Sequence, residues 1–432
     1  MTQSFNHPTR RQVLAGLTAA AALGPVMLTG RSWARASAND KMGAVLIGAG
    51  KRGADRLLGQ FLNHPKLKLL AIAEVDTDRR EHYTALANKH YGGEACVGVN
   101  DYRDILDRND IDIALIFTPD HWHTIPAVHA MEKGMHVYAE KPLTLNLLES
   151  QRIIEAQKKS GVTFQTGSQQ RSEFGGRFLK AAEYVVNGRL GKCNFAEVGC
   201  GDPAIPCDLP TEDKPAGLDW GLWLGPAPMR GYHPALSPRG VHKNFPAFRR
   251  YEEYAGGQLA DFGAHMFDIA QWAFGKDRES PVTVTPPKEE GAKRGVEMTY
   301  ADGTKMVHAS IGNGVRFIGQ KGTLHATRGS LKSEPASILQ EPLTDSDTRL
   351  HTPMNHLNNF TDCIGTDTQP VCDAEVGART AALCHLANIA YDVKQDELKF
   401  DGEAWKFTNS EAANARLDYA ERRKGFELPM VE

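Results

Sequence analysis

The stretch Val45-Leu46-Ile47-Gly48-Ala49-Gly50-Lys51-Arg52-Gly53 decides the fold of the first part of the chain. An apolar run ends in a G-x-G-x-x-G turn, which predicts a buried strand followed by a helix. In such a turn Gly48 makes the tight bend, Gly50 lets the backbone approach a pyrophosphate, and Gly53 lets helix and strand pack closely. The helix start offers unpaired N–H groups and a positive dipole end. Gly48, Gly50, Lys51, Arg52 and Gly53 are therefore predicted to bind a dinucleotide.

An acidic residue stands at the end of the second predicted strand, Leu67 to Val75. Glu74 lies 21 residues after Gly53. Its carboxylate can accept hydrogen bonds from a ribose diol and would repel a 2′-phosphate. NAD is thus predicted in preference to NADP, although Arg79 and Arg80 close by keep NADP open.

Strands and helices alternate through the first part of the chain, which predicts a parallel sheet with helices on both faces. The predicted domain is a Rossmann domain over residues 40–168. The further predicted elements are a helix from Arg52 to Leu62, a helix capped by Thr77 that runs to about Lys89, a short helix from Tyr102 to Leu106, strands at Asp112 to Phe117, His136 to Ala139 and Val162 to Thr166, and helices at Ile125 to Lys133 and Leu145 to Ser160.

Two distant motifs together resemble one known family. Glu140-Lys141-Pro142 follows the predicted strand His136 to Ala139, and a D-x-x-x-H-x-x-D pattern places Asp261, His265 and Asp268 on a later helix. In this order they resemble the glucose–fructose oxidoreductase / inositol dehydrogenase family (Gfo/Idh/MocA). The stretches 120–123, Asp-His-Trp-His, and 219–226, Asp-Trp-Gly-Leu-Trp-Leu-Gly-Pro, are similar to an exported, sugar-acting branch of that family.

The resemblance implies that Lys141, Asp261 and His265 form the catalytic group. Oxidation of a carbinol requires a base for the hydroxyl proton, and histidine titrates near working pH. Lys141 can hold the oxygen as it gains carbonyl character. Asp261 and His265 are four residues apart and share one helix face, so Asp261 can orient the ring or bind a neighbouring hydroxyl. Asp268 is predicted to bind sugar, with capping or ion pairing as its alternative.

Further cofactor contacts are expected at the carboxyl ends of the strands Asp112 to Phe117 and His136 to Ala139, where such folds bind ligands. Thr118, Pro119, His123, Glu140 and Lys141 are the predicted residues there. His123 faces cofactor or substrate in this interpretation, and His121 is structural. An H-x-H pair can ligate metal, but no third ligand follows by spacing, so no metal is predicted.

The second part of the chain, residues 169–370, is predicted to be an α+β domain for substrate and oligomerisation. A long helix runs from Gln169 to about Asn187, a strand from Phe195 to Gly199, and a helix from Asp261 to Phe274. Residues 200–255 form a long loop, which is usually functional. Arg171, Trp220 and Tyr254 are predicted to bind substrate together with Asp268, while packing of the loop remains the alternative for the aromatic residues.

Strand-like runs separated by turn residues then predict an open, mostly antiparallel sheet. They are Val282 to Val284, Val296 to Tyr300, Lys305 to Ser310, Val315 to Ile318 and Thr323 to Ala326. An open sheet with an apolar face needs a cover, so a homodimer or homotetramer is expected. Helices are predicted at Asn355 to Cys363 and Glu375 to Val393, and residues 371–432 are expected to pack back on the body.

The net charge and the N-terminal residues indicate the partners and the location of the protein. A formal net charge of −3 over 432 residues gives no reason to expect nucleic acid or an acidic membrane as partner. Arg10-Arg11, an apolar stretch to Leu28 and small-residue cleavage sites near Ala38 predict a twin-arginine signal over residues 1–38. A tail or an uncleaved anchor is the alternative. We expect a periplasmic protein without stable membrane insertion after processing.

The seven cysteines are expected as buried free thiols, with one disulfide among Cys193, Cys200 and Cys207 as the alternative.

The predicted function is an exported NAD(P)-dependent oxidoreductase that acts on a sugar by hydride transfer. Because the periplasm offers no useful pool of soluble nicotinamide, the cofactor is expected to be tightly held and recycled on the protein. One alternative is an NAD-dependent glycosidase or lyase that works by transient oxidation and elimination. A non-catalytic sugar-binding relative and a metal-dependent hydrolase are the remaining alternatives.

Overall fold

The computed structural model describes residues 41–350, 354–393 and 395–431, which belong to one compact unit. The predicted twin-arginine signal at residues 1–38 lies outside these residues.

A six-stranded parallel sheet organises the first part of the described chain. Its order is β3-β2-β1-β4-β5-β6, and every neighbouring pair is parallel. Chain order reverses between β1 and β4, so their carboxyl ends open a crevice. The strands are β1 Met42–Ile47, β2 Leu67–Ala73, β3 Val97–Val99, β4 Ile113–Ile116, β5 His136–Ala139 and β6 Phe164–Thr166.

Helices cover both faces of this sheet, as predicted for a Rossmann domain. They are α1 Leu58–Leu62, α2 Thr77–Tyr91, α3 Thr124–Glu132 and α4 Leu147–Ser160. Ala44, Leu46 and Phe61 pack on one face, while Val45 and Ile47 join a core that continues into the second part of the chain. This alternation along β1 explains its unbroken apolar sequence, since both faces are buried.

Two local predictions are corrected. The helix after the glycine turn begins as a π-helix over Lys51–Arg56 and only then continues as α1. Asp76, rather than Thr77, caps α2, because its carboxylate accepts a hydrogen bond from Arg79 N at 3.0 Å.

A nine-stranded sheet forms the second layer, and it is mostly antiparallel as predicted. The order is β13-β12-β11-β7-β10-β9-β8-β14-β15, with β10 parallel to β7. The predicted strands do not simply follow one another in the sheet, because β7 lies between β11 and β10. The strands are β7 Cys193–Gly199, β8 Thr283–Thr285, β9 Glu297–Thr299, β10 Lys305–Ala309, β11 Gly314–Gly319, β12 Gly322–Thr327, β13 Leu331–Glu334, β14 Leu398–Asp401 and β15 Lys406–Phe407.

The remaining helices connect the two sheets. They are α5 Arg177–Val186, α6 Trp220–Leu224, α7 Gly257–Ala273, α8 Ser337–Gln340, α9 His356–Cys363, α10 Ala374–Val393 and α11 Glu411–Asn414. α10 packs against both α4 and α7, and α7 packs against β7. The single helix predicted from Gln169 to Asn187 is wrong. Gly175 and Gly176 take φ angles of 65° and 67°, and only short 3-10 turns precede α5.

The open face of the second sheet is less apolar than predicted. Side chains of β7 and β9–β11 alternate, with Met298, Met306 and Phe317 buried beneath the sheet. The outer face carries ion pairs, Lys305 with Glu297 and Arg316 with Glu197, beside a few apolar residues. The outer face is thus mixed rather than apolar, and the homo-oligomer stays a prediction.

All seven cysteines lie within the described residues and all are free. The alternative of a disulfide among Cys193, Cys200 and Cys207 is not present. No helix of the described chain is both long and apolar enough to span a bilayer.

Candidate active site

A cavity of about 350 Å³ follows the carboxyl ends of the parallel strands from the glycine turn to α7. Most predicted cofactor and catalytic residues line it. They are Gly48, Gly50, Lys51, Arg52, Glu74, Thr118, Pro119, His123, Glu140, Lys141, Asp261 and His265. The structure thus brings together residues from β1, β2, β4, β5 and α7.

The three glycines of the turn have the spatial roles that the sequence predicts. Gly48 has a φ angle of 88°, and a Cβ there would lie 2.7 Å from Thr118 N. A Cβ on Gly53 would lie 2.7 Å from Gly48 O, so this position holds helix and strand in contact. A Cβ on Gly50 would meet nothing within 4 Å, which leaves open space beside the turn. That space and the neighbouring basic side chains fit a pyrophosphate.

Glu74 holds the glycine turn as well as lining the cavity. Its Oε2 accepts a hydrogen bond from Ala49 N at 2.9 Å, while Oε1 accepts from Asp76 N at 2.9 Å and Arg79 Nη2 at 3.1 Å. A carboxylate has about four acceptor positions, so about one remains for a ribose hydroxyl. The role of Glu74 in ribose binding stays a prediction.

The turn after β4 contributes Thr118 and His123. Thr118 Oγ1 is buried and has no hydrogen-bond partner within the described chain, as expected for a group that awaits a ligand. The His123 ring lies between two carbonyl oxygens, with Nε2 2.9 Å from Thr118 O and Nδ1 2.7 Å from Pro142 O. Burial lowers the pKa of His123. His123 therefore ties the β4 and β5 turns together at the wall of the cavity.

No metal site forms here. His121 Nε2 lies 3.0 Å from Trp223 O, so both histidines of the H-x-H pair face backbone carbonyls. Across the described residues no group of three or more His, Cys, Asp or Glu side chains is arranged to hold a metal ion.

Lys141 and Asp261 meet at the far end of the cavity. Lys141 Nζ donates to Asp261 Oδ1 at 2.6 Å and to Asp261 O at 2.8 Å. Arg249 binds the other carboxylate oxygen of Asp261. Although burial opposes ionisation, Lys141 and Arg249 hold the pKa of Asp261 below its usual value. Asp261 is therefore an anion that positions the lysine.

His265 lies one helical turn beyond Asp261 and is buried at the same end. Its Nδ1 has no partner among the described residues. Burial, and then the positive charges of Lys141 and Arg328, lower the pKa of His265 well below its usual value. The lowered pKa favours the neutral ring, whose Nδ1 is open to a hydrogen-bond partner.

Glu140 connects the fifth strand to the glycine turn. Its Oε1 accepts hydrogen bonds from Arg52 Nε at 3.0 Å and from Gln169 Nε2 at 2.9 Å. This pairing fixes Arg52 beside the open space at Gly50, so Glu140 supports the cofactor site through Arg52.

Asp120 is a cavity residue that the sequence analysis quoted without a role. It is 8 % exposed and lies near Lys141, Asp261 and Arg249. Burial raises the pKa of Asp120 to about 7, against the opposing effect of Lys141. Its position directly after a buried strand, at the carboxyl edge of the sheet, is the sequence signal that could have identified Asp120 as a site residue.

The predicted substrate role of Arg171 and Asp268 is corrected. Both side chains are almost fully buried outside the cavity. Arg171 Nη2 donates to Asp268 Oδ1 at 2.7 Å, and its other terminal nitrogen contacts Asp277 at 2.9 Å. The N–H donors of the Arg171 guanidinium are thus occupied by these two carboxylates. The resulting ion pairs join the segment after β6 to α7 and to the turn that follows α7.

The predicted substrate role of Trp220 and Tyr254 is corrected too. They belong to a buried aromatic cluster in the 200–255 region and do not line the cavity. Trp220 stacks on Trp223 with ring centroids 4.6 Å apart, and Tyr254 lies 5.2 Å from the same Trp223 ring. Packing of the loop, the alternative interpretation, explains these residues.

Residues 236–249, here called the strap, cross the cavity beside the glycine turn. Leu236, Pro238, Phe245 and Arg249 line it from this side. The strap is anchored near β2: Arg79 Nη1 donates to Pro238 O at 2.7 Å. The sequence predicted a functional loop here, but it did not indicate which residues cover the groove.

Asp76 is the second anchor of the strap. It accepts from Gly240 N at 3.0 Å and pairs with Arg239. The strap is therefore fastened beyond the end of β2 by an ion pair and by hydrogen bonds between its backbone and charged side chains.

A parallel sheet with this glycine turn, and a lysine–aspartate–histidine group across the crevice, are typical of a dinucleotide-binding protein. Residues 42–168 match the oxidoreductase family described as "NAD-binding Rossmann fold", and residues 206–427 match the same family's "C-terminal alpha/beta domain". The chain belongs to this family, the Gfo/Idh/MocA oxidoreductases. The predicted fold class and the predicted cofactor, NAD, are confirmed at this level.

Relatives of the family share parts of the sequence. The chain is 25 % identical to myo-inositol 2-dehydrogenase of Thermotoga maritima over 62 % of this chain and 60 % of the relative. It is 33 % identical to a glycosyl hydrolase family 109 protein of Shewanella sp. over 26 % of this chain and 25 % of the relative. The alignments thus span from a quarter to about three fifths of these curated relatives.

Solved structures share the fold over a larger part of the chain. The aldose-aldose oxidoreductase of Caulobacter crescentus, solved with glycerol, superposes with a TM-score of 0.57 at 18 % identity. The match covers 84 % of this chain and 100 % of that one.

Proposed function

We propose that the protein is an NAD-dependent oxidoreductase that acts on a CH–OH group of a carbohydrate. The carrying observation is the Lys141–Asp261 pair beside a neutral His265, in one cavity with the glycine turn. Bound NAD would accept a hydride from the carbinol carbon and return it in the reverse direction. The open space at Gly50 and the unpartnered Thr118 Oγ1 fit such a dinucleotide.

The side chains divide the remaining work. Lys141, fixed by Asp261, donates a hydrogen bond to the substrate oxygen and stabilises the negative charge that develops there. His265 is uncharged and accepts the hydroxyl proton. The carboxylate of Asp261 binds Lys141 through one oxygen and Arg249 through the other. These contacts hold the lysine ammonium in one position.

We further propose that the cofactor stays on the protein between turnovers. The strap covers the groove and is fastened to Asp76 and Arg79, which supports slow exchange of the dinucleotide. Export by the twin-arginine signal at residues 1–38 would then deliver a loaded protein to the periplasm. A homo-oligomer is part of the same proposal, and sedimentation of the purified protein tests it.

A second candidate is a redox-neutral glycosidase or lyase. Bound NAD would take the hydride that turns the hydroxyl into a carbonyl, and removal of the acidified adjacent C–H proton with departure of the protonated leaving group would give an unsaturated ketone. In a glycosidase, water would then add across this double bond before the returned hydride restores the alcohol; in a lyase, the hydride would return without addition of water. This route needs an additional proton-transferring group, and Asp120 supplies a carboxyl that titrates near neutral pH in the cavity. The partial similarity to a family 109 glycosyl hydrolase also favours it.

The first experiment identifies the cofactor. Protein purified without added nucleotide is denatured, and the released dinucleotide is identified by mass spectrometry; near-stoichiometric NAD is expected. An empty protein that also fails to bind added NAD or NADP would overturn the enzyme proposal and favour a sugar-binding relative.

Turnover of aldoses and glycosides is then followed with Lys141→Ala and His265→Ala as variants. We expect losses of about 10²–10⁴-fold in kcat/KM for each, because each removes a group that acts on the transferred proton or the oxygen. Unchanged circular dichroism and NAD content in both variants would show that the loss is chemical. Product analysis separates the two routes: an oxidised sugar together with a reduced second substrate indicates the oxidoreductase, whereas release of the leaving group without any oxidised sugar indicates the redox-neutral route.

A further inference from the structure

Arg328 is a cation of the cavity to which no role has yet been assigned. It follows β12, on the turn to β13, and lines the cavity together with His265 and Lys141. Its Nε donates to Gln170 Oε1 at 2.8 Å. The guanidinium lies 4.7 Å from the Phe174 ring centroid and 5.5 Å from that of Phe262. These contacts fix the plane of the guanidinium and leave its two terminal nitrogens without a hydrogen bond in the described chain.

The other cations of this region each form an ion pair. Arg52 pairs with Glu140, and both Lys141 and Arg249 pair with Asp261. Among the described residues, Arg328 forms no comparable ion pair; its one hydrogen-bond acceptor is a neutral amide. Arg328 is exposed toward the cavity, so its terminal nitrogens are accessible to a ligand, and an anion that enters can accept charge-assisted hydrogen bonds from them.

The electrostatics place this unpaired charge at the substrate end. Burial, with repulsion from Arg52, lowers the pKa of Arg328, although Asp261 and Glu173 oppose that shift. Burial also raises the pKa of Glu173, which weakens it as a counter-charge. Arg328 in turn contributes to the lowered pKa of His265, so the guanidinium lies close to the proposed base.

We propose that Arg328 binds an anionic group of the carbohydrate substrate, so that the substrate is an acidic sugar bearing a carboxylate, a sulfate or a phosphate ester. The planar guanidinium presents two parallel N–H donors, which match the oxygens of such groups. This proposal rests on the proposed function, because it names the substrate class of the same cavity.

The test compares sugars that share one ring and differ only at C6. NADH-loaded protein is titrated with glucose, glucuronate, glucose 6-sulfate and glucose 6-phosphate, and with the corresponding galactose series, while nicotinamide fluorescence reports binding. At least one acidic sugar is expected to bind about 10–100-fold more tightly than its neutral parent, and the preference falls as salt is added. The identity of that sugar distinguishes the three anions.

The variants separate charge recognition from general damage. Arg328→Met is expected to remove the preference for the acidic sugar and leave binding of the neutral parent unchanged, while Arg328→Lys retains part of it. Lys332→Met is the matched control, because Lys332 is an exposed cation on β13 outside the cavity and its loss should change neither ligand.

Several results would overturn the proposal. They are equal binding of acidic and neutral sugars, no binding by any acidic sugar of either series, or an unchanged preference in Arg328→Met. A fall in NAD affinity in that variant would assign Arg328 to the dinucleotide instead and would overturn it as well. Failure of the proposed function gives a different pattern: acidic sugars bind through Arg328, but no hydride transfer follows in NAD-loaded protein.

Discussion

Arg239 offers a direct test of whether the strap retains the cofactor. Its guanidinium pairs with Asp76, which is fully buried, and reaches Asp78 at 2.9 Å and Ala216 O at 3.0 Å. The perturbation is Arg239→Met, which keeps the apolar stem of the side chain and removes these contacts. Asp76 retains hydrogen bonds from Arg79 N and Gly240 N, so its carboxylate is not left alone.

The expected magnitude follows from burial. Removing one partner of a buried ion pair costs about 3–5 kcal/mol. Because the Arg239 side chain is 25 % exposed and Asp76 keeps two donors, we expect about 2 kcal/mol here. That value corresponds to about a 30-fold change in the equilibrium for strap closure. If bound NAD requires the closed strap, its dissociation constant rises by up to this factor, and the rate of NAD loss through the open strap rises with the open population.

The assay follows the loss of NAD from preloaded protein after rapid gel filtration, together with the equilibrium affinity for added NAD. Lys243→Met is the matched control, because it removes one exposed positive charge from the same strap outside the cavity. Retention of NAD by Arg239→Met equal to that of the wild type would refute the reasoning. An equal loss in Lys243→Met would show that overall charge, and not the anchor, controls retention.

Three further predictions concern the turn, the cavity and the core. Gly50→Ala should leave the free energy of unfolding within about 0.5 kcal/mol of wild type, yet it should weaken NAD binding at least about tenfold. Gly53→Ala should instead lower the free energy of unfolding by about 1–3 kcal/mol. Urea unfolding and NAD titration distinguish the two effects. Burial raises the pKa of Asp120 to about 7, so the folded protein keeps a proton that the unfolded chain releases near pH 4. The stability of the wild type therefore falls as pH rises from about 4 to about 7, and Asp120→Asn should gain stability relative to wild type over that range. A difference in stability that stays constant with pH would contradict the assignment. Arg171→Met should cost about 3–5 kcal/mol in stability with little change in KM, and adding Asp268→Leu should recover part of that loss; a selective rise in KM would restore the substrate role.

Local sequence signals predicted the nucleotide-binding half of the fold well. β5 begins and ends at His136 and Ala139, as expected, because a short apolar strand between a helix-ending glycine and a charged turn has few alternatives. The roles of Gly48 and Gly53 were also predictable, since a tight bend and a close helix contact exclude a side chain. These features depend on residues that are neighbours in sequence.

The failures share a different cause. β14 pairs with β8, whose residues lie more than a hundred positions earlier, so no local pattern identified it. Arg171 and Asp268 have the residue types of a sugar site, but each is the other's partner in the folded chain. Trp220 likewise found an aromatic neighbour instead of a ligand. Residue type predicts the chemistry of a side chain, whereas its partner is decided by tertiary packing.

The proposed active site is itself a product of that packing. Lys141 comes from the end of β5, and Asp261 comes from α7 in the second part of the chain; neither element holds the pair alone. A continuous core joins the strands of the first sheet to α7 and the second sheet. The distance between lysine and carboxylate is therefore set by the whole core, and a cavity-forming substitution there should reduce activity before it unfolds the protein. The strap adds the same dependence near the glycine turn, because its anchors Asp76 and Arg79 follow β2 of the first sheet.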